Sequence, residues 1–320
     1  MNLELQQTPL DDAGLRALLA RAPEAPARMG DDARLERQLV KRRADWRGTR
    51  LFERIVVSDR GRTFELLAKY CRPSTGREVH VYRDILQGQE LGTARFCGAL
   101  EAADGSTTLL LEFVSGRRLK RCPETEVWSQ VARWLGRVQR TFTGHAALAG
   151  LPAYDEDFYR TWAERALESA SRVSPEAAEQ VHRIVARYDE VAGPLAEAEP
   201  TLLHAEFYCT NILVQGSNGG IRICPFDWET AAAGCGALDL AYLLRQKLGI
   251  TDECLSEAYR EGWREAGGSR LEPRELRAQV RRGRIHELMF TIWAEVHHKD
   301  ALPERISRAA ELAWNQLTSL

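Results

Sequence analysis

The strongest constraint on the fold is a change of period along the chain. From Leu35 to Phe113 the apolar runs are short and rich in β-formers, and from Pro123 onward they recur at helical spacing. A sheet followed by a helical body is the pattern of an α+β fold. The strand candidates are RLFERIVVS (50–58), TFELLAKYC (63–71), GTARFCGAL (92–100) and TTLLLEFV (107–114), with SDRGRT and DGS as hairpin connections. Between them GREVHVYRDILQG predicts a helix from Arg77 to Leu86, with Val81 and Ile85 four apart. Residues 35–114 are thus expected to form a small antiparallel sheet with one helix. Residues 1–34 read as an N-terminal extension, with a short helix at Ala13 to Ala20 and a proline-bearing connector, RAPEAPARMG.

In the helical part, residues 115–320, Val127, Val131, Trp134, Leu135 and Val138 make one apolar stripe at a 3.6-residue period. Further helices are expected at 155–170, 175–193, 237–247, 252–266, 273–298 and 302–317. One strong β interruption runs from Asn211 to Phe226, where NILVQ and IRICPF flank the turn sequence GSNGG. Antiparallel pairing of these runs would bring Asn211 and Asp227 to the same end of a hairpin. An amide oxygen and a carboxylate are the hard oxygen ligands that Mg2+ prefers while it also holds phosphates. Glu206, five residues before Asn211 on a loop, would set a second carboxylate beside them.

The remaining composition narrows the partners. With 44 Lys and Arg against 46 Asp and Glu, the formal charge of -2 points away from nucleic acid and acidic membranes. The seven cysteines are scattered, odd in number and without close CxxC spacing, as expected of buried thiols in a reducing compartment. No segment approaches the roughly 18 apolar residues of a membrane span, and the N-terminus lacks a charged region feeding an apolar run. A cytoplasmic protein acting on a small molecule is the expectation.

The order of HAEFYCTN, FDWE and GALDLAYL resembles the aminoglycoside phosphotransferase and choline kinase superfamily, relatives of the protein kinases, from about Leu35 to Leu320. Its pattern is a catalytic loop HxDxxxxN, a metal-binding aspartate in a segment related to DFG, and a later DLA. His204, Asn211, Asp227 and Asp239 match by position, and Glu206 stands where the family has aspartate. The resemblance implies a protein-kinase-like two-lobed fold, a small antiparallel N-lobe (35–114) and a larger, mainly helical C-lobe (115–320) holding the catalytic loop and acceptor site. It also implies ATP and Mg2+ as cofactors and transfer of the γ-phosphoryl group to a hydroxyl of a small molecule.

On that resemblance His204 braces the catalytic loop, Asn211 is a metal and phosphate ligand, Asp227 is the principal metal ligand and Asp239 holds the loop from behind. Helix capping is an independent physical reason for Asp239. Lys69 would grip the α and β phosphates and Glu78 would orient it. Without the resemblance, Lys69 reads as an exposed edge lysine and Glu78 as an acid favoured at a helix start. Backbone groups near Glu112, Phe113 and Val114 would read the adenine edge. The nucleotide-covering loop would lie in KRRADWRGTR, where Gly48 is the single glycine and Arg42, Arg43 and Arg47 offer charge instead.

Glutamate and aspartate have similar unperturbed pKa values, roughly 4.3 and 3.9, so Glu206 differs from the family residue in reach. It is longer by about 1.5 Å, one carbon–carbon bond, and a misplacement on the order of 1 Å can cost about a hundredfold in rate. The bulky FYC after it suggests a reshaped acceptor pocket. Trp162, Trp228, Trp263, Phe290, Trp293 and His286 are candidate wall residues, with Glu295 and His297 as polar contacts. The sequence leaves open an aminoglycoside, amino alcohol, sugar, macrolide or nucleoside acceptor, as well as oligomeric state and the choice of ATP or GTP. A nucleotide-binding protein without transfer activity, and an enzyme with different natural-product chemistry on the same fold, are the rival readings.

Overall fold

The computed structural model describes residues 10–21, 33–45, 48–72, 76–216, 220–245, 249–298 and 302–320. The chain divides into two compact units, Met1–Gly116 with Gln215–Glu229, and Arg117–Val214 with Thr230–Leu320. The fold is α+β, an N-terminal antiparallel sheet region followed by a larger helical region.

In the first unit five strands, β1 (Arg34–Asp45), β2 (Gly48–Asp59), β3 (Arg62–Arg72), β4 (Phe96–Glu101) and β5 (Thr107–Glu112), pair antiparallel in the order β1-β2-β3-β5-β4. Four of them occupy the expected apolar runs. β1 was not expected, because RLERQLVKRRAD has no continuous apolar face and an edge strand does not need one. Arg42 and Arg43 therefore lie in that strand, opposite Leu51 and Arg50, and not in a loop over the nucleotide. Arg47 and the connector at 22–30 lie outside the described residues.

Helix α1 (Asp12–Arg21) contributes Leu15 and Leu19 to a core with Ile55, Val57, Leu66, Ala68, Cys97 and Leu110. Arg37 fastens this arrangement, donating to the Leu10 carbonyl at 2.8 Å and to Glu53 at 2.6 Å. The predicted helix at 77–86 is present in two parts, α2 (Gly76–His80) and a π-helical turn at Val81–Leu86. The strand Arg222–Pro225 also belongs to this unit. Arg222 ties it down through the carbonyls of Gly92 and Thr93 and both carboxylate oxygens of Glu112.

The second unit is built from helices at Thr125–Phe142, Glu156–Ser171, Pro175–Val185, Asp189–Ala196, Ala237–Arg245, Asp252–Glu265, Pro273–His298 and Pro303–Leu317. Three begin where a side chain captures a free amide, Asp155 to Phe158, Ser174 to Ala177 and Thr251 to Cys254. The single helix expected at 175–193 is divided at residues 186–188, where Tyr188 turns fully into the core. The first and sixth helices approach until backbones touch, and only glycine fits there. A Cβ on Gly262 would lie 1.8 Å from the Arg133 carbonyl oxygen, and one on Gly136 2.1 Å from that of Tyr259.

Two short pairings complete the unit, Thr201–Leu203 with Ala232–Gly234, and Arg117–Arg118 with Val214 and Leu213. Strands Ile212–Gln215 and Arg222–Pro225 lie within the two predicted runs, the first shorter by a residue at its outer end and the second by a residue at each end. Residues 217–219 of its turn lie outside the described residues. No helix among the described residues is long and apolar enough to cross a membrane.

Candidate active site

Lys69 lies on β3, an interior strand between β2 and β5, and is 3% exposed, so it is not an edge lysine. Its Nζ donates to Glu78 Oε2 and to Asp227 Oδ1, both at 2.6 Å. Burial disfavours the ammonium, but the carboxylates of Glu78 and Asp227 outweigh it and raise its pKa. Glu78 comes from the first turn of α2 and is 1% exposed. Burial pushes its carboxyl up to about 6 against the pull of Lys69. One helical turn further on, the Tyr82 hydroxyl is buried with no partner among the described residues.

Asp227 follows the strand Arg222–Pro225 and holds φ at 72°, a left-handed conformation that aspartate tolerates better than most residues. Two residues later Glu229 supplies a third carboxylate. Oxygens of Glu78, Asp227 and Glu229 lie within 4.8 Å of one another, a hard-oxygen donor set of the kind divalent cations take. Glu229 also receives Nε and Nη2 of Arg50 at 3.0 and 2.7 Å, and both side chains are buried. Sequence reasoning missed Arg50 and Glu229. The available signals were an acid two positions after Asp227 in FDWE and an arginine two positions after Gly48.

At the end of β5, the Glu112 and Phe113 amides donate to the carbonyls of Arg95 and Glu65 at 2.9 and 3.0 Å. The Glu112 carboxylate is held by Arg222 and Arg95. Burial alone would raise its pKa, but hydrogen bonding and charge from Arg222 lower it. Val114 is buried just beyond.

The second unit carries the remaining predicted residues. Asp239, fully buried in the first turn of Ala237–Arg245, accepts the backbone amides of His204 and Ala205 at 2.8 and 2.9 Å and Nε2 of Gln139 at 3.3 Å. Burial pushes its carboxyl up to about 7 while the amides pull it down. Ala205 stands at φ 61°. This non-glycine strain falls one residue before Glu206 and turns the chain there. Asn211 Nδ2 donates to the Glu206 carbonyl at 3.1 Å, and Asn211 N to that of Tyr208 at 2.8 Å, which closes the loop on itself. His204 is buried and its carbonyl receives Thr230 Oγ1 at 3.1 Å.

Of the bulky FYC, Phe207 and Cys209 are core residues, with Phe207 stacked on Trp134 at 6.0 Å. Tyr208 is half-buried and meets Tyr242 edge-on at 4.9 Å. Several wall candidates are also core. Trp228 is buried in the first unit with Nε1 on the Pro225 carbonyl, and His286 is buried against the Tyr188 hydroxyl at 3.1 Å. Trp263 is half-buried and stacks on Tyr259, and the buried Glu295 meets the exposed Arg305 at 3.3 Å. Trp162, Phe290 and Trp293 form a half-buried aromatic cluster, continued by the exposed His297.

The model of the phosphotransferase enzyme family matches residues 77–281, which include Glu78, the strained loop and both carboxylates that follow it. The chain belongs to this phosphotransferase family. Structures of similar fold agree. Spectinomycin phosphotransferase APH(9)-Ia, solved with ADP and spectinomycin, is 14% identical, with 97% of this chain and 99% of that one covered and a TM-score of 0.55. A thermostable mutant of aminoglycoside phosphotransferase APH(4)-Ia, with ADP and hygromycin B, is 17% identical over 88% and 95% of the two chains, with a TM-score of 0.59. Choline kinase from Cryptosporidium parvum Iowa II is 13% identical over 94% of each, with a TM-score of 0.56. No curated protein sequence matches it. At these identities the likeness to the aminoglycoside phosphotransferases and choline kinase is one of fold.

Proposed function

We propose that the protein transfers the γ-phosphoryl group of ATP, with Mg2+, to a hydroxyl of a small molecule in the cytoplasm. The observation that carries this reading is the Lys69 ammonium buried between Glu78 and Asp227. A lysine held charged in a protein interior by two carboxylates is ready to exchange one of them for a phosphate oxygen. Glu78 keeps it aimed, and Asp227, being partly exposed, is the carboxylate that can turn to a metal. The carboxylates of Asp227 and the neighbouring Glu229 fit Mg2+, since both are oxygen ligands, and Asn211 is the further ligand that the family resemblance assigns. When bound, Mg2+ neutralises phosphate charge and polarises the oxygens around phosphorus.

Glu206 accepts or guides the proton of the attacking hydroxyl, while Asp239, through the amides of His204 and Ala205, fixes the loop that carries it. With the Glu112 and Phe113 amides already bonded, adenine recognition falls to carbonyls of this segment and to the Val114 amide. Cytoplasmic action is supported by seven free cysteines, six of them buried. Incubation with Mg-ATP and a panel of alcohols, amino alcohols, aminoglycosides and sugars, read by mass for ADP and phosphorylated product, tests the proposal. Acceptor-dependent ADP is the expected result, and its survival in Asp227→Ala would sink the metal assignment.

The second reading, nucleotide binding without transfer, is favoured by one observation, the glutamate at position 206. The same assay separates the two, since that reading predicts bound nucleotide and no product with any acceptor.

A further inference from the structure

We infer that Arg50 is a phosphate-binding residue restrained by Glu229, so that nucleotide and divalent metal bind better together than either does alone. The inference rests on the proposed nucleotide site and adds a residue and a coupling to it.

Arg50 lies opposite Cys71 in the β2–β3 register, and Phe52, two residues on, lies opposite Lys69. Cross-strand partners and residues two apart share a face, so the guanidinium and the Lys69 ammonium belong to the same side of the sheet. The Lys69 ammonium is 5.8 Å from the Phe52 ring centroid on that side. Arg50 is also the third residue of β2, two positions after Gly48, at the end of the stretch where the family resemblance puts the phosphate-covering loop. Glycine-rich loops do this with backbone amides, which this stretch is poorly built to offer. A guanidinium is the side-chain substitute, because its planar fork matches two phosphate oxygens.

Glu229 has two incompatible uses. It is the partner of Arg50, and it is one of three carboxylates close enough to share an ion. A cation that takes the Glu229 oxygens withdraws them from a guanidinium that is itself buried. Taking the Glu229 carboxylate from a buried guanidinium is costly, and a polyphosphate delivered with the metal offsets that cost. The local charges agree. Lys69 and Arg50 against Glu78, Asp227 and Glu229 leave one negative charge, which favours a cation over a bare nucleotide; a metal–nucleotide pair satisfies both halves. Because coupling is reciprocal, metal must tighten nucleotide by the factor that nucleotide tightens metal.

The test is calorimetric titration of the whole protein with Mg2+ alone, ADP alone in chelator, and ADP at saturating Mg2+. In the wild type, Mg2+ should tighten ADP by about tenfold or more, the scale of one charge-assisted pair. Arg50→Gln should bind Mg2+ alone more tightly, bind ADP more weakly and lose most of the tenfold coupling. Arg50→Lys, which retains the charge without the fork, should fall between. Glu229→Gln gives the decisive sign, since releasing Arg50 should make metal-free ADP bind more tightly than in the wild type, whereas a merely structural pair would weaken it. An unchanged coupling ratio in Arg50→Gln, or weaker metal-free ADP in Glu229→Gln, overturns the inference while leaving the nucleotide site intact. A wild type that binds no ADP overturns both.

Discussion

The carboxylate of Asp239 holds His204 by its backbone, accepting that amide at 2.8 Å and the next at 2.9 Å. A side chain thirty-five positions away thereby sets the path of the loop through Ala205, whose positive φ needs such support. Asp239→Asn keeps the shape but turns one acceptor into a donor facing an amide. The expected cost is about 1–3 kcal/mol, read as a lowered denaturant midpoint, with transfer reduced more than nucleotide affinity.

Lys69→Met should be more damaging to stability than to shape. Removing the ammonium leaves Glu78 1% exposed without its counter-charge, which costs up to about 3–5 kcal/mol and less where the carboxyl takes up a proton. The double variant Lys69→Met/Glu78→Gln should recover most of that in a chemical melt. It should not recover ADP binding, because the phosphate partner is gone. Recovery of both would mean that Lys69 is a structural residue only.

Glu206 is tested by two substitutions in opposite senses. Glu206→Gln should preserve ADP affinity and lower transfer by about a hundredfold or more, the usual contribution of a positioned base. Glu206→Asp measures the fit of the pocket to the longer side chain. A fall in turnover would mean an acceptor site built around glutamate, and a rise would mean that the extra methylene impairs the geometry.

His286 predicts an acid-labile helical unit. Burial lowers its pKa to about 3, with Nδ1 facing the Tyr188 hydroxyl. Between pH 6.5 and 3 the unfolded chain takes up a proton that the folded one does not, so stability is lost as pH falls through that window. The loss approaches about 1.4 kcal/mol per pH unit. His286→Gln should flatten this part of the unfolding profile measured from pH 7 to 4.

Gly136 and Gly262 should show strong non-additivity. An added methyl at either meets a carbonyl oxygen of the opposite helix at about 2 Å or less, and each alanine variant should lose at least about 2–3 kcal/mol. Together they should cost clearly less than the sum, since helices already parted by one methyl accommodate the second. Thermal melts of the two single variants and the pair give the comparison.

The strands of the sheet, the helix after Lys69 and the helices of the second unit were legible because their apolar residues keep a period. β1 was not, since its charges disguise an edge strand whose pairing energy lies in the backbone. The division at residues 186–188 was hidden by helix-forming residues on both sides, and the π turn at Val81–Leu86 by a pattern that reads equally well as α. Around the candidate site the family resemblance, and not the local pattern, pointed to Lys69 and Glu78, and their side chains meet that of Asp227. Arg50 and Glu229 lie 179 positions apart, a separation that no local pattern spans. Burial likewise decided the fate of Trp228 and His286, aromatic residues that the sequence alone offers equally to a pocket and to a core.

β1 also bears on how the protein behaves at high concentration. Among the described residues it is an unpaired edge of the sheet, and it exposes Leu39 and Val40, each 53% accessible, beside a break in register. Such an edge invites strand-by-strand growth into aggregates. Here a second copy aligning with it would bring Arg34, Lys41, Arg42 and Arg43 against the same set, and like charges across a ladder repel. The charges that concealed the strand from its sequence also guard it against self-templating.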